Sequence, residues 1–334
     1  MRERTGAPPN RGGALLEFRP MSQNLVEKIV QAYAVGLEPG QEVRAGDYVT
    51  VRPRHVMTHD NSAAVMQKFE GLGAAAMADP RQPVFTLDHN VQDRSEQNLA
   101  KYAAIEGFAG RHGLDFHPAG RGIGHQVMVE EGYAWPGSLV VASDSHSNVY
   151  GGVGALGTPV VRTDAAAIWA TGETWWQVPP VTKVVLEGAL RPGVSGKDLI
   201  ITLCGLYNQD EVLNHAVEFG GEGVAGLSME ARLTVANMTT EWGALTGVFP
   251  CDERALAWLS EREGTHPAFT PEAIHDLAAA PPRPDAEAEY EQLIALDLAT
   301  VEPHVCGPDN VKTMEAVSRM AERRVPVHKA YLLS

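Results

Sequence analysis

Between residues 83 and 207, apolar runs of strand length alternate with stretches of helix length, and no other feature constrains the fold as much. PVFTLDH (83–89), LDFHPAG (114–120), SLVVASD (138–144) and TKVVLEGAL (182–190) read as strands. Ser95–Gly110, His125–Gly132, Thr163–Thr174 and Ser195–Tyr207 read as the helices between and after them. Strands that alternate with helices predict an α/β fold, a sheet covered on both faces. Upstream, Asn24 and Glu27 are spaced like a capping box ahead of a stripe of Leu25, Ile29 and Val30. Asp47–Arg52 alternates like a strand, and Ser62–Met77 suits a helix.

The texture changes after residue 208. Helical stretches dominate (Ser228–Leu245, Asp252–Arg262, Pro271–Ala279), followed by the Pro-rich AAPPRPDAEAE, a helix over Val311–Arg323 and a strand in KAYLLS (329–334). The expected organisation is a leader at 1–21, a first α/β/α domain at 22–207, a second α/β domain at 208–328, and the opening strand of a third at 329–334. In the first twenty residues, four arginines with Gly and Pro read as a mitochondrial transit remnant. Glu3 and Glu17 count against that reading and leave a leader without meaning as the alternative. The matrix, or otherwise the cytoplasm, is the expected location.

Composition narrows the function. At 44% hydrophobic residues a 334-residue chain buries a substantial core, and no apolar run approaches the length of a membrane span. A net charge of −15 argues against nucleic acid, though a local cluster of donors still accommodates an anionic substrate. Cys204, Cys251 and Cys306 are far apart, odd in number and outside any CxxC pattern, so neither a disulfide framework nor a zinc knuckle is expected.

Two strands end in similar words: Leu87 leads into Asp88–His89, and Ser143 into Asp144–Ser145–His146. In open α/β sheets ligands bind beyond the carboxyl ends of strands, so the two ends would share one crevice. A carboxylate beside an imidazole fixes its tautomer and raises its basicity for proton transfer. Taken singly, each Asp serves equally well as a turn cap; the matched pair is what points to chemistry. His125 in GIGHQ and His59 in MTHDN would add to the same cleft, and Asn237 and Glu241 are four apart on one expected helical face. Rival chemistries fit less well. Gly152, Gly154 and Gly157 match GxGxxG, but seven residues separate them from the strand, so close approach of backbone to some other ligand is the better reading. SDSHS also lacks the elbow of a serine hydrolase.

With LDHN, GIGHQ, YAWPG, DSHSNVYGGVGALG, MTHDN and VANMTTEWGALTGVFP in hand, the chain resembles the aconitase superfamily over about residues 22–334, closest to its homoaconitase-type branch. That resemblance implies three-layer α/β/α domains, a [4Fe–4S] cluster in the full-length enzyme, a small tricarboxylic acid as substrate, and isomerisation by dehydration and rehydration in lysine biosynthesis. It implies that Asp88 and His89 handle the departing hydroxyl, and that Asp144 and His146 form a second acid–imidazole pair. It further implies that His125 is another cleft histidine, Glu241 lies near the metal-bound oxygen, Asn237 contacts the cluster, and Ser145 faces substrate. His59 stands where aconitase proper has glutamine, a departure towards other substrates. The cluster cysteines and later domains are expected beyond Ser334, so those domains are the expected partner, and the chain alone is expected to hold no cluster and to be inactive. An isopropylmalate or citrate isomerase, or a non-catalytic relative, are the alternatives.

Overall fold

A computed structural model describes residues 22–307, 310–324, 326, 328 and 329. The leader at 1–21 lies outside the described residues, as does the strand at 329–334 but for Lys329.

Five short strands, β1 (His55–Thr58), β2 (Pro83–Thr86), β3 (Asp115–His117), β4 (Leu139–Ala142) and β5 (Leu156–Pro159), form a wholly parallel sheet in the order β3-β2-β1-β4-β5. β2 and β4 are buried at every position, which is why both read as unbroken apolar runs. Successive side chains on a strand point to opposite faces. Val56, Phe85 and Val141 therefore enter one core with Phe108 and Trp169, while Met57, Val84 and Val140 enter another with Met128 and Tyr150. Two cores on one sheet make the three layers. The helices are α1 (Leu25–Tyr33), α2 (Ser62–Gly71), α3 (Glu96–His112), α4 (Gly124–Glu130) and α5 (Arg162–Thr171). The Asn24–Glu27 capping box forms as expected, and the second helix stops at Gly71, well short of Met77.

A second parallel sheet comprises β6 (Val181–Glu187), β7 (Ala216–Gly220), β8 (Thr246–Val248) and β9 (Gln292–Asp297), in the order β8-β7-β6-β9. Its own apolar core includes Val184, Phe219 and Leu296, with Leu199 and Leu203 of α6 (Gly196–Leu206). The sheets do not divide where the texture of the sequence changes. β6 pairs on both sides with strands that follow residue 208, so sheet membership changes between Pro159 and Val181. Texture records where the strand–helix rhythm loosens, whereas pairing decides which sheet a strand joins. The helix expected over Ser228–Leu245 is two pieces, α7 (Met229–Asn237) and α8 (Thr239–Trp242), interrupted at Met238. Asn237 and Glu241 thus belong to different helical pieces.

A 3-10 segment, Ser147–Val153, wedges the first sheet against the second. A Cβ on Gly151 would collide with the carbonyl oxygen of Gly247 in β8, and one on Gly152 would lie 2.6 Å from Leu233 Cα in α7. Of the GxGxxG glycines, Gly152 thus approaches α7, and a Cβ on Gly157 would lie 2.0 Å from the Ser147 carbonyl oxygen, so the close approach these two make within the chain is of backbone to backbone.

Candidate active site

The order β3-β2-β1-β4-β5 reverses winding between β1 and β4, and the crevice outside such a switch point is where α/β sheets bind ligands. Three strands open onto it: β1 ends in Thr58 and is followed by His59–Asp60, β2 is followed by Leu87–Asp88–His89, and β4 by Ser143–Asp144–Ser145–His146.

Asp144 is the hub. Its Oδ1 lies 2.7 Å from His125 Nε2 and accepts the backbone N–H of His146 at 2.9 Å, while its Oδ2 lies 3.7 Å from both His59 Nε2 and His89 Nε2. His59 and His89 stack face to face with ring centroids 3.9 Å apart. His89 Nδ1 is 2.6 Å from Asp88 Oδ1, and the other oxygen of Asp88 accepts the N–H of Gly124 at 2.6 Å. His125 Nδ1 meets the Tyr150 hydroxyl at 2.9 Å, so that ring is held at both nitrogens. From the second unit, Glu241 Oε1 reaches His146 Nε2 at 2.7 Å, and Thr240 Oγ1 donates to the Ser145 carbonyl at 2.8 Å. Ser145 Oγ is 3.0 Å from His146 Nδ1.

All the expected histidines and acids therefore meet in one network, with Glu241 joined to it across the unit boundary. Asn237 is half-buried and makes no side-chain hydrogen bond among the described residues. The interruption at Met238 removes the shared-face argument that paired it with Glu241.

The electrostatics follow from these contacts. Burial alone would raise the Asp144 carboxyl, but hydrogen bonds from His125 and His146 outweigh it and hold Asp144 well below the usual carboxylate range. His146 rises to about 10 because Asp144 and Glu241 both favour its charged form. Burial likewise opposes ionisation of Glu241, yet His146 pulls it below its ordinary value. Burial, aided by the neighbouring His89, lowers His59. At neutral pH the cleft thus contains an imidazolium clamped between two carboxylates. Two buried atoms in it lack partners, His59 Nδ1 and Glu241 Oε2, and unpaired buried polar atoms are costly unless a ligand satisfies them.

Sequence reasoning missed Asp60, Tyr102 and Tyr150. Asp60 accepts the backbone N–H groups of Asp88, His89 and Asn90 at 2.8–3.1 Å and the Tyr102 hydroxyl. With its lone pairs engaged, it ties the 88–90 loop to the end of β1. His59, Asp60, Asp88 and His89 bring possible metal-ligating atoms within 4.8 Å of one another, but Asp60 is spent on that loop. A signal existed: His59–Asp60 is a third strand-end pair, the reverse of Asp88–His89. Tyr150 carried none beyond its place in the glycine-rich stretch.

Among the described residues, the thiols make no hydrogen bond to the cleft residues. Cys204 and Cys251 are buried in two different apolar cores, and burial pushes each up to about 12, while Cys306 is exposed. Cluster ligation needs thiolates. These three cysteines therefore do not fit a [4Fe–4S] cluster, and the cleft offers only nitrogen and oxygen.

A model of the aconitase family (aconitate hydratase) matches residues 27–331. Among curated proteins, the mitochondrial homoaconitase of Yarrowia lipolytica is 58% identical over 319 residues, a match covering 93% of this chain and 46% of that protein. The mitochondrial homoaconitase of Eremothecium gossypii is 60% identical over 318 residues, with the same coverage. That of Aspergillus oryzae is 54% identical over 337 residues, covering 96% of this chain and 44% of the relative. The chain spans about half the length of the curated relatives it matches.

Proposed function

This chain belongs to the aconitase family, and from that premise we propose that its cleft is the acid–base half of a homoaconitase-type hydro-lyase. Its substrates are homocitrate, homoaconitate and homoisocitrate, interconverted in the mitochondrial matrix during lysine biosynthesis. The observation that carries the reading is the Asp144 hub, where one carboxylate touches or closely faces His125, His146, His59 and His89.

Dehydration adds one proton to the hydroxyl, which leaves as water, and removes another from the neighbouring carbon to a base that the rest of the full-length enzyme supplies; rehydration at the other carbon completes the isomerisation. His89, its Nδ1 fixed by Asp88, directs Nε2 into the cleft and protonates the departing hydroxyl. His146 stays charged between Asp144 and Glu241 and attracts a substrate carboxylate. His125 and Tyr150 hold Asp144 in place. Ser145 turns its hydroxyl to substrate, His59 lines the wall beside it, and Asn237 offers an unpaired amide for cluster contact. In the full-length enzyme the family implies a [4Fe–4S] cluster, which supplies a Lewis acid for the hydroxyl. Its thiolates come from residues other than Cys204, Cys251 and Cys306.

The test is an anaerobic hydratase assay on the complete enzyme containing this chain, following loss of the homoaconitate double bond. Faster turnover of isopropylmalate or citrate than of homocitrate would move the assignment to a sister isomerase. No turnover of any of them would overturn it.

A further inference from the structure

One face of the cleft opens into a cavity of about 650 Å³, within the usual size range of small-ligand sites, whose outer part, residues 159–163, none of the roles above uses. His59, Asp144 and Ser145 form its inner end. Pro159, Val160 and Val161, the run from the end of β5 to the start of α5, form an apolar wall that leads to Arg162.

Arg162 is the only Lys or Arg lining this cavity, and it is exposed. Its guanidinium makes no ion pair or hydrogen bond among the described residues. Arg44, Arg52, Arg121, Arg232 and Arg323 sit on carboxylates, whereas Arg162, like the exposed Lys68, Arg94 and Arg283, has none among the described residues. What sets Arg162 apart is its place at the end of an apolar wall that starts in the cleft. Asp164, two residues on, does not face Arg162 along a helix and lines a different cavity beside Trp175 and Trp176. No side chain caps the ten-residue helix that begins at Arg162, so its first N–H groups add to the positive end of the cavity.

We propose that this cavity is the subsite for the non-reacting arm of the substrate, with methylenes against Pro159–Val161 and the terminal carboxylate on Arg162. The inference rests on the hydro-lyase reading for which end of the substrate reacts, and it adds a determinant of substrate length. An apolar wall between the reacting groups and the cation favours a polycarboxylic acid whose arm is long enough to span it. A guanidinium also suits a carboxylate tip through paired, parallel N–H donors.

Two measurements on the complete enzyme separate this inference from the reading beneath it. In steady-state hydration, Arg162→Gln lowers kcat/KM for homoaconitate about tenfold to hundredfold, while Arg162→Lys recovers part of the loss. The analogue whose arm ends in a primary amide is turned over equally by wild type and Arg162→Gln. In calorimetric binding, glutarate binds more tightly than its monoamide, and the difference disappears in Arg162→Gln. Glutarate discrimination that depends on Arg162 without turnover of homoaconitate would leave the arm subsite standing and sink the hydro-lyase reading. Turnover with equal losses for the acid and amide arms, or glutarate binding indifferent to Arg162, would sink the subsite and leave the reading intact.

Discussion

The two parallel sheets are built alike but end differently. At the first, strands run out into His59–Asp60, Asp88–His89 and Asp144–Ser145–His146. At the second, β6 runs out into Gly188 and β7 into Gly221, and a Cβ on Gly221 would press into the Leu186 backbone. Three carboxyl ends of the first sheet are supplied with titratable groups, whereas β6 and β7 of the second run into glycines that close the backbone onto itself. Among the described residues, the hydrogen bonds by which the second unit reaches the network come from α8, through Thr240 and Glu241. The same topology thus serves a reacting edge and a packing edge, and the few residues just past each strand decide which.

If that division is right, the largest effect on turnover falls at the first edge. Asp144→Asn in the complete enzyme is expected to lower kcat by about 10²- to 10⁴-fold and also to lower the thermal midpoint, because it removes the charge that pairs with His125 and His146. A loss under tenfold in the hydratase assay would break the comparison.

The next effect is on stability, at the seam. Gly151→Ala should cost about 3 kcal/mol, the upper end for overpacking, because its Cβ meets rigid carbonyl oxygen and not a flexible side chain. Urea denaturation followed by circular dichroism measures it; a wild-type midpoint would mean that the seam yields.

A third effect separates groups by pH. His146 is raised from 6.5 to about 10, so its contribution to stability is full below pH 6.5 and is lost as pH rises towards 10. His55, at the opposite end of β1, is lowered to about 4 by burial and by Arg54. Its contribution is therefore full above pH 6.5 and lost as pH falls towards 4. Thermal melts across this range should show the alkaline limb flatten in His146→Gln and the acid limb flatten in His55→Gln. Exchange of those two effects would contradict the assignment.

The smallest effect is a control in the second unit. Ser195→Ala, which removes the cap from α6, should cost about 1 kcal/mol and leave turnover untouched. A fall in kcat would show that the packing edge reaches the chemistry by more than α8.

The strand-end pairs were legible because they interrupt apolar runs, where burial leaves polar residues little reason to stand except chemistry or capping. Asp60 went unread although it stands in the same kind of place, since nothing in MTHDN distinguishes an acid that holds a loop from one that reacts. Glu241 was found, but on a continuous helix that the chain does not form. The interruption at Met238 sits in a sequence with no Gly or Pro to announce it. The division between the sheets was hidden for another reason. Which partner β6 joins depends on a strand more than a hundred residues away, and no local pattern records that choice.

The contact of Gly151 on Gly247 and of Gly152 on Leu233 also limits how this protein can be recombined. Because backbone meets backbone there, no repacking of side chains can absorb a shift between the units. The turn that follows His146 and the α7–β8 stretch must therefore be inherited together. A chimera that takes residues 22–160 from one relative and 229–248 from another would carry every reacting group, yet would place His146 and Glu241 in different frames.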